Sequence, residues 1–268
     1  MTGAAEVLAR HAVRVVGRAD AGRALVFVHG FGTDQSSWQG LVPAFEEGWR
    51  IVLLDNAGAG RSDPAAFVQS RYLGLRQYAL DLGEVLDALG VRGAVVVGHS
   101  VGAMMALLAS LERPDLVSKL VLIAASPRYL DAEGYRGGFT PADLQQTYSA
   151  VIGNFGGWVD GFSPLAMNTP DRPELARHFA DALRLIPPQR ALTVLCSILQ
   201  SDHRADVGKV AVPTLLLHAR EDVFVPDEVA AYLHGKIAGS RLVTVNARGH
   251  FPHFVAPDEV VAAIHEFA

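Results

Sequence analysis

One cysteine, Cys196, stands in 268 residues, which excludes an internal disulfide and any multi-cysteine metal site. Clustered charge of one sign is missing as well. The formal net charge of −5 comes from scattered residues, so neither a nucleic acid nor an anionic membrane surface is an expected partner. Met1 to Asp20 lack the basic start, long apolar core and small-residue cleavage site of a secretory signal, and the expected location is cytoplasmic. The histidines lack metal-ligand spacing: His11, His178, His203, His218, His234 and His265 read as surface or packing residues. Cys196, in an apolar helical stretch, reads as a buried structural thiol. One uncharged run, Gly93 to Leu111, is long enough to span a membrane. Gly98, His99, Ser100 and Gly102 at its centre, with no basic clusters beside it, argue against that.

What is present is a hydrophobic half of the chain, enough for a sizeable core in one α/β domain with an insertion or in two small domains. Leu25–Val28, Ile51–Leu54, Val95–Val97, Leu120–Ile123, Thr214–Leu217 and Leu242–Val245 read as short strands separated by helical patterns. That alternation implies a largely parallel sheet with helices on both faces and ligands beyond the C-terminal strand ends. The rhythm stops after Ile123 and resumes near Val212. Between them lie helical stretches, Asp143–Asn154, Pro173–Ile186 and Gln189–Leu199 the clearest, with Pro141, Pro164, Pro170, Pro173, Pro187 and Pro188 expected each to stop or start a helix. So long a segment is an inserted cap rather than a loop. The division expected is a core of residues 1–125 and 203–268 and a helical lid of residues 126–202. The lid is rich in aromatics, which either pack its interior or line a pocket.

Gly98-His99-Ser100-Val101-Gly102 places a serine between glycines where an apolar strand turns into a helix, Ala103 to Leu111, the sequence form of a nucleophile elbow. A serine hydroxyl needs a base, and the base an orienting carboxylate, both at later strand ends. Asp222 closes the strand and loop Leu215–Asp222, with Glu221 a rival from the adjacent position. His250 lies on a Gly/Pro-bounded loop after the last strand, with His253 a rival beyond Pro252. Backbone donors for an oxyanion are expected from Val101, just after the serine, and from Phe31 in His29-Gly30-Phe31-Gly32. Asp55-Asn56-Ala57-Gly58-Ala59-Gly60 invites a dinucleotide-binding reading but lacks the third glycine and meets Pro64 where a helix should run. It reads instead as a tight turn supporting the edge of the site.

Serine, acid and histidine in this order give the chain the look of an α/β-hydrolase. Val28–Trp38, Gly98–Val101, Ser126–Leu130, Gly137–Phe139, Gly161–Ala166 and Gln200–Asp202 resemble more closely the family of bacterial RsbQ and the plant karrikin and strigolactone receptors, the DWARF14-like proteins. The resemblance implies an α/β-hydrolase fold with a V-shaped four-helix lid over an apolar pocket, and no cofactor or metal. It also implies a triad of Ser100, Asp222 and His250, oxyanion donors Phe31 and Val101, and a pocket lined by Tyr129, Phe139, Trp158, Phe162 and Leu199. Gly102 departs from the serine usual there, and Leu199 from the phenylalanine frequent in the plant proteins.

The activity expected is cofactor-free hydrolysis of a small, largely apolar ester or lactone, butenolides included, by acylation of Ser100 with His250 as base and then acid. A second expectation is a ligand sensor that turns over slowly and regulates a protein partner such as a sensor-phosphatase. A third is C–C bond hydrolysis or perhydrolysis by the same triad.

Overall fold

The computed structural model describes residues 3–268. Met1 and Thr2, the start of the stretch read for a targeting signal, lie outside the described residues. In chain order the elements are α1 (Ala4–Arg10), β1 (Arg14–Gly17), β2 (Ala24–Val28), β3 (Arg50–Leu53), α2 (Arg76–Ala88), β4 (Ala94–His99), α3 (Val101–Glu112) and β5 (Val117–Ile123). Then follow α4 (Pro141–Gly153), α5 (Phe155–Met167), α6 (Pro173–Arg184), α7 (Pro188–Leu199), α8 (Arg204–Val207), β6 (Thr214–Glu221), α9 (Asp227–Lys236), β7 (Arg241–Arg248), α10 (Pro252–Val255) and α11 (Pro257–Phe267).

The sheet runs β1-β3-β2-β4-β5-β6-β7, parallel except where β1 pairs antiparallel with β3. The six apolar runs found in the sequence are its six parallel strands. β1 was not legible because it is four residues on an edge, mostly exposed, with no alternation to reveal it. Leu25 and Phe27 of β2 pack with Trp38, Leu41 and Phe45 on one face, while Val26 and Val28 pack with α2 and α3 on the other. Both faces are covered, which is why the strands read as unbroken apolar runs.

The order reverses at β2. The chain leaves β2 for β3 on one side and returns to β4 on the other, so the loops after β2 and β4 diverge and open a crevice at their C-terminal ends. The uncharged run Gly93–Leu111 divides into β4 and part of α3. Among the described residues no helix is long and apolar enough to cross a membrane.

Between β5 and β6 the chain folds into α4 to α7. α4 begins with a capping box, Thr140 and Asp143 bonding reciprocally, and with Pro141 in its first turn; Pro173 and Pro188 open α6 and α7 in the same way. α5 corrects the sequence reading, because Pro164 lies inside it rather than at an end. Pro164 supplies no amide to the Asp160 carbonyl, at a cost of about 3 kcal/mol. Packing offsets that cost: Val159, Ser163, Ala166 and Met167 form a buried stripe against Ala176, Phe179, Ala180 and Leu183 of α6. Cys196 is also corrected. It is partly exposed on α7, beside the groove facing residues 69–77, although burial still raises its thiol pKa.

Candidate active site

β4 delivers Ser100 into the crevice at φ 55° and ψ −122°, a strained conformation that only a well-braced turn holds. The flanking glycines are required by space. A Cβ at 98 would lie 2.5 Å from the Gly102 carbonyl oxygen, and one at 102 would lie 2.4 Å from that of Val28. Gly102, the departure from the resembling family, therefore lets α3 sit tight against the end of β2.

Ser100 Oγ lies 2.7 Å from Nε2 of His250, whose Nδ1 lies 2.8 Å from Asp222 Oδ2. Asp222 accepts through Oδ1 from the amides of Phe224 at 2.9 Å and Val225 at 3.2 Å. Burial pushes its pKa up, but the His250 charge, its hydrogen bond and the Phe224 amide outweigh that, and the carboxyl stays below its ordinary value. An ionised Asp222 fixes the proton of His250 on Nδ1 and leaves Nε2 free to accept from the Ser100 hydroxyl.

The two rivals are placed elsewhere. Glu221 ends β6 and pairs with Arg248 at the surface. His253 is buried, stacks on Trp38 with ring centroids 4.7 Å apart, and makes no bond to Ser100.

His29 shapes the loop after β2. Its Nε2 accepts from the Asn56 amide at 2.9 Å, so Nδ1 carries the proton and donates to the Gly30 carbonyl at 2.8 Å. Burial keeps this ring neutral. Thr33 Oγ1 donates to the same carbonyl. Across a trans peptide the Phe31 N–H points opposite to that fixed C=O. Among the described residues neither the Phe31 nor the Val101 amide has an acceptor in the protein, and Val101 stands at the N-terminus of the twelve-residue α3. Asp55 to Gly60 form the supporting turn: Asp55 accepts from the amides of Gln35 and Arg61, and Asn56 Nδ2 donates to the His29 carbonyl.

His99 ties the Ser100 turn to the His250 loop. Its Nε2–H donates to the His250 carbonyl at 2.8 Å, and burial, with repulsion from His253 and His250, holds its pKa well below the imidazole range.

Above the triad lies a cavity of about 350 Å³. Tyr129, Phe139, Trp158, Phe162 and Leu199 all line it, with Phe31, Ser100 and His250. Asp131 Oδ1 holds the amides of Gly137 and Gly138, folding residues 129–139 so that Tyr129 and Phe139 both face inward, and the Tyr129 hydroxyl lies 3.3 Å from Ser100 Oγ. Burial raises the Tyr129 pKa and keeps it a neutral phenol.

Sequence reasoning missed Phe224, Phe251, Phe179, Leu195 and Ile198, which also line the cavity. Phe224 and Phe251 stood within two residues of Asp222 and His250, a signal available in the sequence. Phe179, Leu195 and Ile198 needed the helix orientations.

A sequence profile described as alpha/beta hydrolase fold matches residues 23–257. The chain is 42% identical over 249 residues to strigolactone esterase D14 of Arabidopsis thaliana, covering 92% of each chain. It is 39% identical to a karrikin insensitive 2 receptor of Petunia hybrida, covering 95% of this chain and 94% of that one. Its structure superposes on a hydrolase from Oleispira antarctica with a TM-score of 0.95, at 28% identity and over 99% and 97% of the two chains. The motif-level resemblance thus extends along nearly the whole sequence, and the chain belongs to the α/β-hydrolase fold family, with the strigolactone esterases and karrikin receptors among its relatives.

Proposed function

We propose that this protein is a cofactor-free serine hydrolase that opens small, largely apolar esters or lactones. The observation that carries the reading is the unbroken chain Asp222–His250–Ser100, with bonds of 2.8 and 2.7 Å, ending at a cavity lined mainly by apolar side chains. His250 Nε2 takes the Ser100 proton as Oγ attacks the carbonyl carbon, and Asp222 stabilises the imidazolium. The Phe31 and Val101 amides receive the oxyanion, each worth about 3–4 kcal/mol at the transition state. His250 then protonates the leaving oxygen. Water activated by the same Nε2 releases the acyl group as a carboxylic acid. In a lactone the leaving oxygen stays bonded to the acyl chain, and the second step releases a single hydroxy acid. Residues 126–202 act in this scheme as a lid that keeps bulk water from the acyl-enzyme. A cytoplasmic location belongs to the same reading, and fractionation of source cells tests it.

The decisive experiment pairs intact mass with kinetics on an activated short-chain aryl ester. The wild-type protein should gain the mass of one acyl group at Ser100. Ser100→Ala should keep the fold, form no adduct and lose at least about 10³-fold in kcat. Retention of more than about a tenth of the rate would place the nucleophile elsewhere.

A second reading, a ligand-operated signalling protein, is favoured by the likeness to proteins named karrikin receptors along 95% of the chain. It uses the same site, with slow turnover and a protein partner that distinguishes the occupied state from the empty one.

A further inference from the structure

The loop that carries the triad acid also builds a wall of the cavity. Asp222 to Pro226 join β6 to α9, and Asp222 holds this loop closed by accepting the amides of Phe224 and Val225. The turn sends the Phe224 ring into the cavity, where its edge meets His250, the centroids 5.4 Å apart and the planes at 80°. The ring stacks on Phe162 at 5.1 Å and 20°, and on Phe139 at 6.3 Å and 23°. From behind the backbone is hemmed in. Gly138, at φ +106°, lies so close that a Cβ there would be 3.0 Å from Pro226 and 3.4 Å from the Phe224 carbonyl oxygen.

Phe224 thus belongs to two structures at once. Its side chain is one ring in a stack that continues through Phe162 to Trp158, and its amide is one of the three donors that fix the acid. A ring stacked on Phe162 and Phe139 and set edge-on to His250 yields little to a long substituent by changing rotamer alone. The backbone has to follow, and the Phe224 amide moves with it. Loss of that donor loosens Asp222, and with it the tautomer and aim of His250.

We propose that Phe224 is a specificity-determining residue: it limits the part of the substrate that packs against the acid loop, and because its own amide positions Asp222, oversize substrates are slowed in kcat and not only bound less well. This rests on the hydrolase reading given above.

The test compares aryl acetate with aryl octanoate for the wild type, Phe224→Ala, Phe224→Leu and Trp158→Ala. The alanine variant keeps the backbone amide and removes the wall. Its octanoate-to-acetate ratio of kcat/KM should rise about tenfold or more, with most of the rise in kcat, and Phe224→Leu should fall between it and the wild type. Trp158→Ala removes a ring of the same stack whose backbone makes no bond to Asp222, and it should lower that ratio through a raised KM for octanoate, with kcat little changed. An unchanged ratio in both Phe224 variants overturns the proposal, as does a change confined to KM with kcat for the two esters unaltered, the pattern expected of Trp158→Ala. Phe224→Leu keeps the question open to test where circular dichroism shows the alanine variant unfolded. A wild-type protein that neither turns over aryl acetate nor is acylated by it defeats the hydrolase reading instead, an outcome separate from any result with Phe224.

Discussion

At the scale of single residues, two histidines three positions apart have opposite assignments. His250 is bonded on both ring nitrogens, to Ser100 and Asp222, whereas His253 is sealed between Trp38, His99 and Phe254. His250→Ala should therefore abolish ester turnover, while His253→Phe, which preserves the stacking, should retain a substantial rate. The reverse pattern in a standard esterase assay would exchange their roles. Burial first, and His250 second, push the His253 pKa down to about 3, against roughly 6.5 in an unfolded chain. Between those values the unfolded chain binds a proton that the folded one does not, so stability rises with pH across the window and is lost as pH falls from about 6.5 towards 3. The loss is on the order of a few kcal/mol. His253→Phe removes the titrating group, so its melting temperature should fall less than that of the wild type between about pH 7 and 4.5. His99 is shifted in the same direction and should keep some of the slope. Parallel curves for the two proteins would mean that His253 contributes nothing to acid sensitivity.

At the scale of elements, the contrast between α3 and α5 explains what the sequence revealed. Ser100 was legible because strand, glycine, serine, glycine and helix follow one another locally, and the later order of Asp222 and His250 fits strand ends that can be counted. α5 hid behind Gly156, Gly157, Gly161 and Pro164, a composition that local propensity reads as a broken segment. It is a helix because Asn154 caps its start, its side chain accepting the Gly157 amide, and because one stripe is buried against α6. Only tertiary packing supplies that second reason. The glycines have a consequence too: Gly157 and Gly161 line the cavity beside Trp158 and Phe162, leaving room for a ligand between the rings and the triad. Trp158→Ala or Phe162→Ala should therefore raise KM for a bulky apolar ester several-fold more than for an acetate ester, since only the larger substrate reaches those rings. Equal changes for both esters would mean that the two rings serve only the internal packing of the helices.

At the scale of the whole molecule, the site is small, apolar and roofed by four helices, while the proposed product of every turnover is a carboxylic acid that ionises once it meets water. In the proposed scheme acylation needs only Ser100, His250, Asp222 and the amides of Phe31 and Val101. Deacylation needs water to enter an apolar cavity, and an ionising acid must then leave it, so the later steps should limit the rate. Rapid mixing with an activated aryl ester should then give a burst of the phenol leaving group equal to the enzyme concentration, followed by a slow steady state. Absence of a burst, with fast steady turnover of a natural metabolite, would favour a metabolic enzyme over a sensor. Where the burst is present, the acyl-enzyme or product complex is a long-lived second state, and a receptor is required to hold its partner with different affinity in the two states. Pull-downs from source cells with the wild type, with and without the ester, and with Ser100→Ala should then recover a protein in an ester-dependent manner from the wild type alone. Equal recovery in all arms removes the switch, because a ligand that leaves the partner's affinity unchanged cannot shift the equilibrium between free and bound protein.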